Sequence, residues 1–285
     1  PPGGALVSPR AARAARTRER GPVERRPLYL DPKGPAEVVL EGPSLAIRVA
    51  GEAERRMPLG RLSRILVNER TRFDTPALLA CAERGIAVVF VAERGRVRGR
   101  LLGEPGERQE LHQRFLDLLD RPDWRDLYGT WLQAQRRRAA LRVQHRLQEA
   151  TAFVSTRTTA EWVAYQARHF AGARDAQRSA RWLEEQLYAW MAAHLQDLGF
   201  GAQTELGLDG RPDLAGDLTE VLEWYGHAPR LGWLARRYRW ARRTGKRPDP
   251  VTRRDMVALY HRHGARLARF GRELTNNLHR WLADL

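Results

Sequence analysis

The chain has 285 residues and 42% hydrophobic content, enough to bury a core in one large domain or two smaller ones. Lys+Arg 50 against Asp+Glu 34 gives a formal charge of +16, carried almost wholly by arginine, whose planar fork matches phosphate oxygens; this points to a polyanion such as nucleic acid. The single cysteine, Cys81, excludes an internal disulfide and a cysteine-built zinc site. The longest apolar runs, such as Ile86–Ala92, are too short to span a bilayer, and the N-terminus lacks an uninterrupted apolar segment; these readings predict a cytoplasmic protein without a membrane partner.

Residues 1–26 are rich in Pro, Gly, Ala and Arg without sustained apolar periodicity, and are expected to form a disordered basic arm. Short strands are predicted next, at Pro27–Asp31, Ala36–Glu41, Leu45–Val49, Arg55–Leu59 and Arg64–Val67, each bounded by Gly, Pro or charged turns. TPALLACAERG predicts one helix, capped by Thr75 with Pro76 at its first position and closed by Gly85. Two more strands follow, Ile86–Ala92 and Val97–Leu102, around an ERG turn. After Pro105 and Gly106 the texture turns helical, with stretches at Arg108–Leu119, Trp124–Ala150, Thr159–Phe170, Ala180–Leu198, Leu214–Tyr225, Leu231–Thr244 and Thr252–Ala283. The fold class is therefore α+β: a small N-terminal β-sheet domain with one helix over 27–103, then a larger all-α C-terminal domain over 107–285.

Three helical stretches carry chemistry. Arg136, Arg137 and Arg138, continued by Arg142 and Arg146 at fourth positions, predict a basic ridge along one helix. LGWLARRYRWARRTGKR interleaves aromatics with seven basic residues, so Arg236, Arg237, Arg239, Arg242 and Arg243 are DNA-binding candidates, bracketed by Trp233 and Trp240. The same spacing also fits an amphipathic helix with solvated arginines. In GRPDLAGDLTE, Asp213 caps a helix, Leu214, Leu218 and Leu222 form a buried stripe, and Asp217 and Glu220 project together. Such a pair suits a hard divalent cation and equally an ordinary solvated helix face. His227, just beyond, is a candidate to fold back toward Asp217. Tyr128, Trp131, Trp182, Tyr188 and Trp190 read as core aromatics.

LYLDPKGPAEVVLEGPSLAIRV and PLGRLSRILVNERTRFDTPALLACAERGIAVVFVAERGRVRGRLLGE resemble the β domain of the CRISPR-associated spacer-integrase family (Cas-one), and GRPDLAGDLTE resembles its GRPSLALDLME. RTGKRPDPVTRRDMVALYHRHGARLARF is similar to its C-terminal helices, less specifically. The resemblance implies dimerisation through the β domain and a small Cas-two-type partner. It also implies a short spacer-precursor DNA duplex inserted into a CRISPR repeat, and Mg or Mn held by a glutamate, a histidine and an aspartate. Carried over, the glutamate falls on Glu161 and the aspartate on Asp217, with Glu220 as a second acid. The histidine position falls on Glu205 counting back from the GRP turn, or on Leu208 counting forward from Gly199; residues 195–226 contain no histidine. Arg181 stands where the family has an asparagine.

These departures predict a degenerate site in a DNA-positioning subunit that works as a homodimer or beside an active integrase paralogue, with no metal of its own. The alternative is an active Mg- or Mn-dependent DNA integrase or endonuclease, with Glu161, Glu205 and Asp217 catalytic and these three plus Glu220 holding the metal. A third reading is a standalone helical nucleic-acid-binding protein.

Overall fold

A computed structural model describes residues 25–32, 34–92, 97–103, 110–147, 156–201 and 212–285. Of the arm predicted at 1–26, residues 1–24 lie outside the described residues, as does the ERG turn, while Arg26 belongs to the first strand, where it pairs with Leu62.

The first part is built from β1 (Arg26–Leu30), β2 (Ala36–Glu41), β3 (Ser44–Val49), β4 (Arg55–Pro58), β5 (Leu62–Asn68), β6 (Thr71–Phe73), helix α1 (Thr75–Glu83), β7 (Ala87–Val91) and β8 (Val97–Leu101). They form two four-stranded sheets, ordered β1-β5-β7-β8 and β4-β3-β2-β6, where the sequence suggests one. β6 is absent from the expected elements: three residues, Thr-Arg-Phe, give no alternation to read, and its parallel pairing with β2 is a tertiary event. The cap of α1 is Asp74, one residue earlier than expected; its carboxylate accepts from Ala77 N at 2.8 Å.

β5 is buried on both faces, which explains its unbroken apolar run. Ile65 and Val67 face the core shared by both sheets and α1, where Cys81 is also buried. Leu66 points the other way, with Val89 and Val91 of β7, onto Ala189 and Tyr188 of the helical part.

The helical part comprises α2 (Glu110–Leu119), α3 (Trp124–Leu147), α4 (Thr156–Asp197), α5 (Leu214–Thr244) and α6 (Arg253–Ala283). One pair of expected helices, Leu214–Tyr225 and Leu231–Thr244, is a single element. The expected Thr159–Phe170 and Ala180–Leu198 lie in α4 on two helical arms that meet at a kink at Gly172, whose φ of 77° and ψ of 164° are non-helical and lie in a region essentially reserved for glycine. α5 runs through Pro229, which removes one backbone bond without ending the helix. Its packing against α4, the most extensive between any two elements here, offsets that loss. α6 starts as expected, with a reciprocal Thr252–Asp255 capping box.

Tyr128 and Trp131 are buried in the helical core, while Trp182, Tyr188 and Trp190 are partly buried against hydrophobic clusters. Among the described residues no helix is long and apolar enough to cross a membrane.

Candidate functional site

The acid pair sits at the start of α5. Asp213 caps the helix by accepting from Gly216 N at 3.1 Å, and Leu214, Leu218 and Leu222 are buried as their spacing predicts. This fixes which way the next face points. Asp217 and Glu220 turn toward α3, where Tyr128 and Arg136, eight positions apart and so about two turns, present one face. Tyr128 Oη donates to Asp217 Oδ2 at 3.0 Å. The Arg136 guanidinium donates to Glu220 and lies 3.8 Å from Asp217 Oδ1. One arginine therefore stands between both acids.

The electrostatics follow from burial. Asp217 is half-buried, and burial raises its carboxyl above the usual aspartate range; the Tyr128 hydrogen bond and Arg136 pull it back. The Tyr128 phenol, buried and facing that carboxylate, is raised well above ordinary tyrosine. One turn further along α5, Glu223 is pushed up to about 8, by burial first and then by Glu184 on α4 and Glu220. Glu184 is raised too, by burial. Glu223 is not among the expected site residues, although the spacing 217, 220, 223 along one helix face could have found it. The role of Arg136 as partner of these acids has no such signal, since it depends on how α3 meets α5.

The other predicted ligands are placed as follows. Glu161 lies on the first arm of α4, exposed, paired at 2.9 Å with Arg157 one turn before it. That arm packs through Val163 and Ala167 into a cluster with Leu231 and Leu234. Leu231 is fourteen residues from Asp217 along α5, roughly 21 Å at the helical rise. The structure brings Asp217 and Glu220 together beside Arg136, and pairs Glu161 with Arg157. Glu205 and Leu208 lie outside the described residues.

His227 does not fold back. It remains inside α5, edge-on to Trp224, and burial lowers its imidazole to about 3. Among the described residues no three His, Cys, Asp or Glu side chains converge as a metal site. The described acids at 217 and 220 are matched to a guanidinium as they stand, so they do not fit a divalent cation without moving Arg136.

The basic residues divide by environment. Arg137 and Arg138 are exposed on α3, whereas Arg136 is committed to the acids; the side chain of Arg146 is outside the described residues. Arg142 is exposed, donates to Tyr225 Oη at 3.4 Å and lies 3.8 Å from Glu273. On the second half of α5, Arg236, Arg239, Arg242 and Arg243 are exposed. Arg237 instead lies over the Trp233 ring at 4.7 Å and donates to the Asp249 carbonyl. Trp240 is 42% exposed and Tyr165 of α4 is 61% exposed, so aromatic surface does accompany the arginines. Tyr165, His169 and Tyr238 follow one another as neighbouring rings across the two helices.

The family model described as CRISPR associated protein Cas1 matches residues 28–189, more than half of the chain. The chain belongs to the Cas1 family. Among solved structures, a Cas1 protein from Thermotoga maritima is 11% identical, with a TM-score of 0.64 over 90% of this chain and 97% of that one. A casposase bound to integration product is 12% identical, with a TM-score of 0.63 over 91% of each chain. A Cas6-RT-Cas1–Cas2 complex is 14% identical, with a TM-score of 0.53 over 90% of this chain and 35% of that one. At these identities the likeness concerns the Cas1 fold. No curated protein matches the chain by sequence.

Proposed function

We propose that this Cas1-family chain is a DNA-holding subunit of a CRISPR spacer-integration assembly, and that it positions a duplex while another subunit performs strand transfer. The observation that carries the reading is Arg136, bonded to Glu220 and beside Asp217. A guanidinium there bonds one acid and faces the other without offering the open coordination positions that metal-assisted phosphodiester chemistry needs. The engagement of Glu161 by Arg157 agrees with this.

The exposed arginines of α3 and α5 supply the affinity. Contacts of this type neutralise phosphates and set register without reading bases. The family and two of the structural neighbours, one bound to integration product and one complexed with Cas2, support a DNA duplex and a small Cas-two-type protein as partners. The dimer through the β domain and the division into 27–103 and 107–285 belong to the same proposal.

The deciding experiment is strand transfer of a labelled short duplex into a repeat-containing plasmid, with Mg or Mn. The chain alone is expected to bind duplex and give no transfer product, and to leave transfer by an active paralogue intact. Transfer by the chain alone, abolished in Asp217→Ala, would overturn the proposal in favour of an active integrase.

A further inference from the structure

Where the sheet part meets the helical part, donors gather without an acid. Arg64, in the middle of β5, is only 5% exposed, and its guanidinium donates to Tyr260 Oη of α6 at 3.0 Å. Among the described residues no carboxylate forms an ion pair with it; the two acids of this seam, Asp31 and Glu185, are both engaged by Arg253. Taking a guanidinium out of water without a counter-ion destabilises a fold, so a buried arginine set among donors is half of a pair.

Further donors reach it from three elements. Tyr29 of β1 lies near enough to feel the Arg64 charge, yet its buried hydroxyl has no hydrogen-bond partner among the described residues, and neither has Arg64 Nε. Tyr260 accepts from Arg64, which leaves its own hydroxyl hydrogen to donate. Burial raises both phenols above the ordinary tyrosine range, so each keeps that hydrogen at neutral pH. The His261 ring stands edge-on to Tyr29, centroids 5.7 Å apart, and 5.9 Å from the Tyr260 ring. His261 and Arg26 reach solvent at the edge of the cluster. Partial burial, then the charges of Arg64 and Arg26, lower the imidazole, which places both arginines close to it. The cluster thus has a buried floor of Arg64 and two hydroxyls, and an open rim of Arg26 and His261.

We propose that this seam binds one phosphate group, held by Arg64 and the Tyr29 and Tyr260 hydroxyls beneath and by Arg26 and His261 at the rim. A tetrahedral oxyanion accepts from several directions at once, which suits donors on β1, β5 and α6; a flat carboxylate suits a single fork. Free inorganic phosphate and a phosphate of the DNA backbone offer the same chemistry. Either one bridges the sheet part to the helical part, through residues other than the exposed arginines of α3 and α5.

The test is a calorimetric titration of the full chain with inorganic phosphate at constant ionic strength, alongside thermal unfolding. One saturable site is expected, with a rise in the thermal midpoint that follows its occupancy. Arg64→Met, which keeps the length of the side chain and removes its charge, should weaken phosphate about tenfold or more, the loss of one charge-assisted hydrogen bond, and raise the midpoint when phosphate is absent. Tyr29→Phe, which keeps the ring, should weaken phosphate by about two- to tenfold. Equal affinity in the parent and both variants would mark adventitious association with surface arginines and overturn the proposal, as would a parent without saturable binding. Duplex binding separates the two sources. Saturating phosphate that weakens duplex affinity more in the parent than in Arg64→Met assigns the site to the DNA backbone; a duplex affinity equal in both, with the calorimetric difference intact, assigns it to the free anion. Both results sustain the phosphate site.

Discussion

At the scale of single residues, the acids of α5 separate into two kinds. Asp217 and Glu220 are paired with Arg136, whereas Glu223 meets Glu184 and Glu220, with Arg230 opposing them weakly. Glu223 therefore holds its proton up to about pH 8 in the folded chain. The folded-state value is raised, so the folded state binds the proton more tightly than the unfolded chain. Its contribution is fully present below the ordinary glutamate range and is lost as pH rises toward 8. Glu223→Gln should flatten the fall of the thermal midpoint between pH 5 and 9 and leave the variant more stable than the parent at pH 9. A wild-type slope in the variant would show that another group carries the effect. The acid pair, its cap and its leucine stripe are legible in GRPDLAGDLTE because all lie within three turns of one helix. Arg136 as their partner is not, since it is 84 positions from Glu220 and only the docking of α3 on α5 brings it there. On sequence alone RRR reads as one ridge; folding turns its first member inward.

At the scale of elements, two glycines carry the shape of the helical part. Gly172 lets α4 bend, and Arg230 of α5, itself buried, donates to the Ala176 carbonyl at 3.1 Å just beyond the bend. Gly172→Ala forces a β-carbon into a strained backbone region and is expected to cost about 1–3 kcal/mol, measured by chemical denaturation. Gly271 serves close approach instead: a β-carbon there would meet the Trp190 ring at 2.1 Å. Gly271→Ala should cost about 1–3 kcal/mol by overpacking α4 against α6, with a shift in the denaturation midpoint and an unchanged slope. The continuity through Pro229 is the element-level feature the sequence hides. Proline is an ordinary helix terminator locally, and the choice to continue is made by packing between α4 and α5, whereas Gly172 does interrupt the helical backbone, as two separate helical stretches in the sequence imply. The Thr252–Asp255 box is legible for the opposite reason: its whole geometry spans one turn.

At the scale of the whole molecule, the charge of +16 and the exposed arginines of α3 and α5 make DNA affinity an ionic-strength effect. Log affinity for duplex should fall linearly with log salt. Replacing Arg236, Arg239 and Arg242 together by glutamine should reduce the slope by roughly 2.7, about 0.9 for each phosphate no longer neutralised, with no change in sequence preference. An unchanged slope would remove α5 from the duplex path. The sheet-then-helix order is legible because the hydrophobic period changes from two to between three and four near residue 105, but the split into two sheets is not, since strand partners are chosen across the chain.

The join between the two parts has its own consequence. Arg253, at the first turn of α6, reaches Asp31 beside β1 at 3.0 Å and Glu185 of α4 at 3.1 Å. Glu185 is 1% exposed, and burial lifts its carboxyl to about 7 despite that arginine. The clasp is thus governed by a single proton close to neutrality. Mild acid, by discharging the sealed carboxyl, should tighten the seam, and mild alkali should slacken it. A chain deprived of Arg253 by exchange for glutamine should lose far more heat resistance at pH 8 than at pH 5.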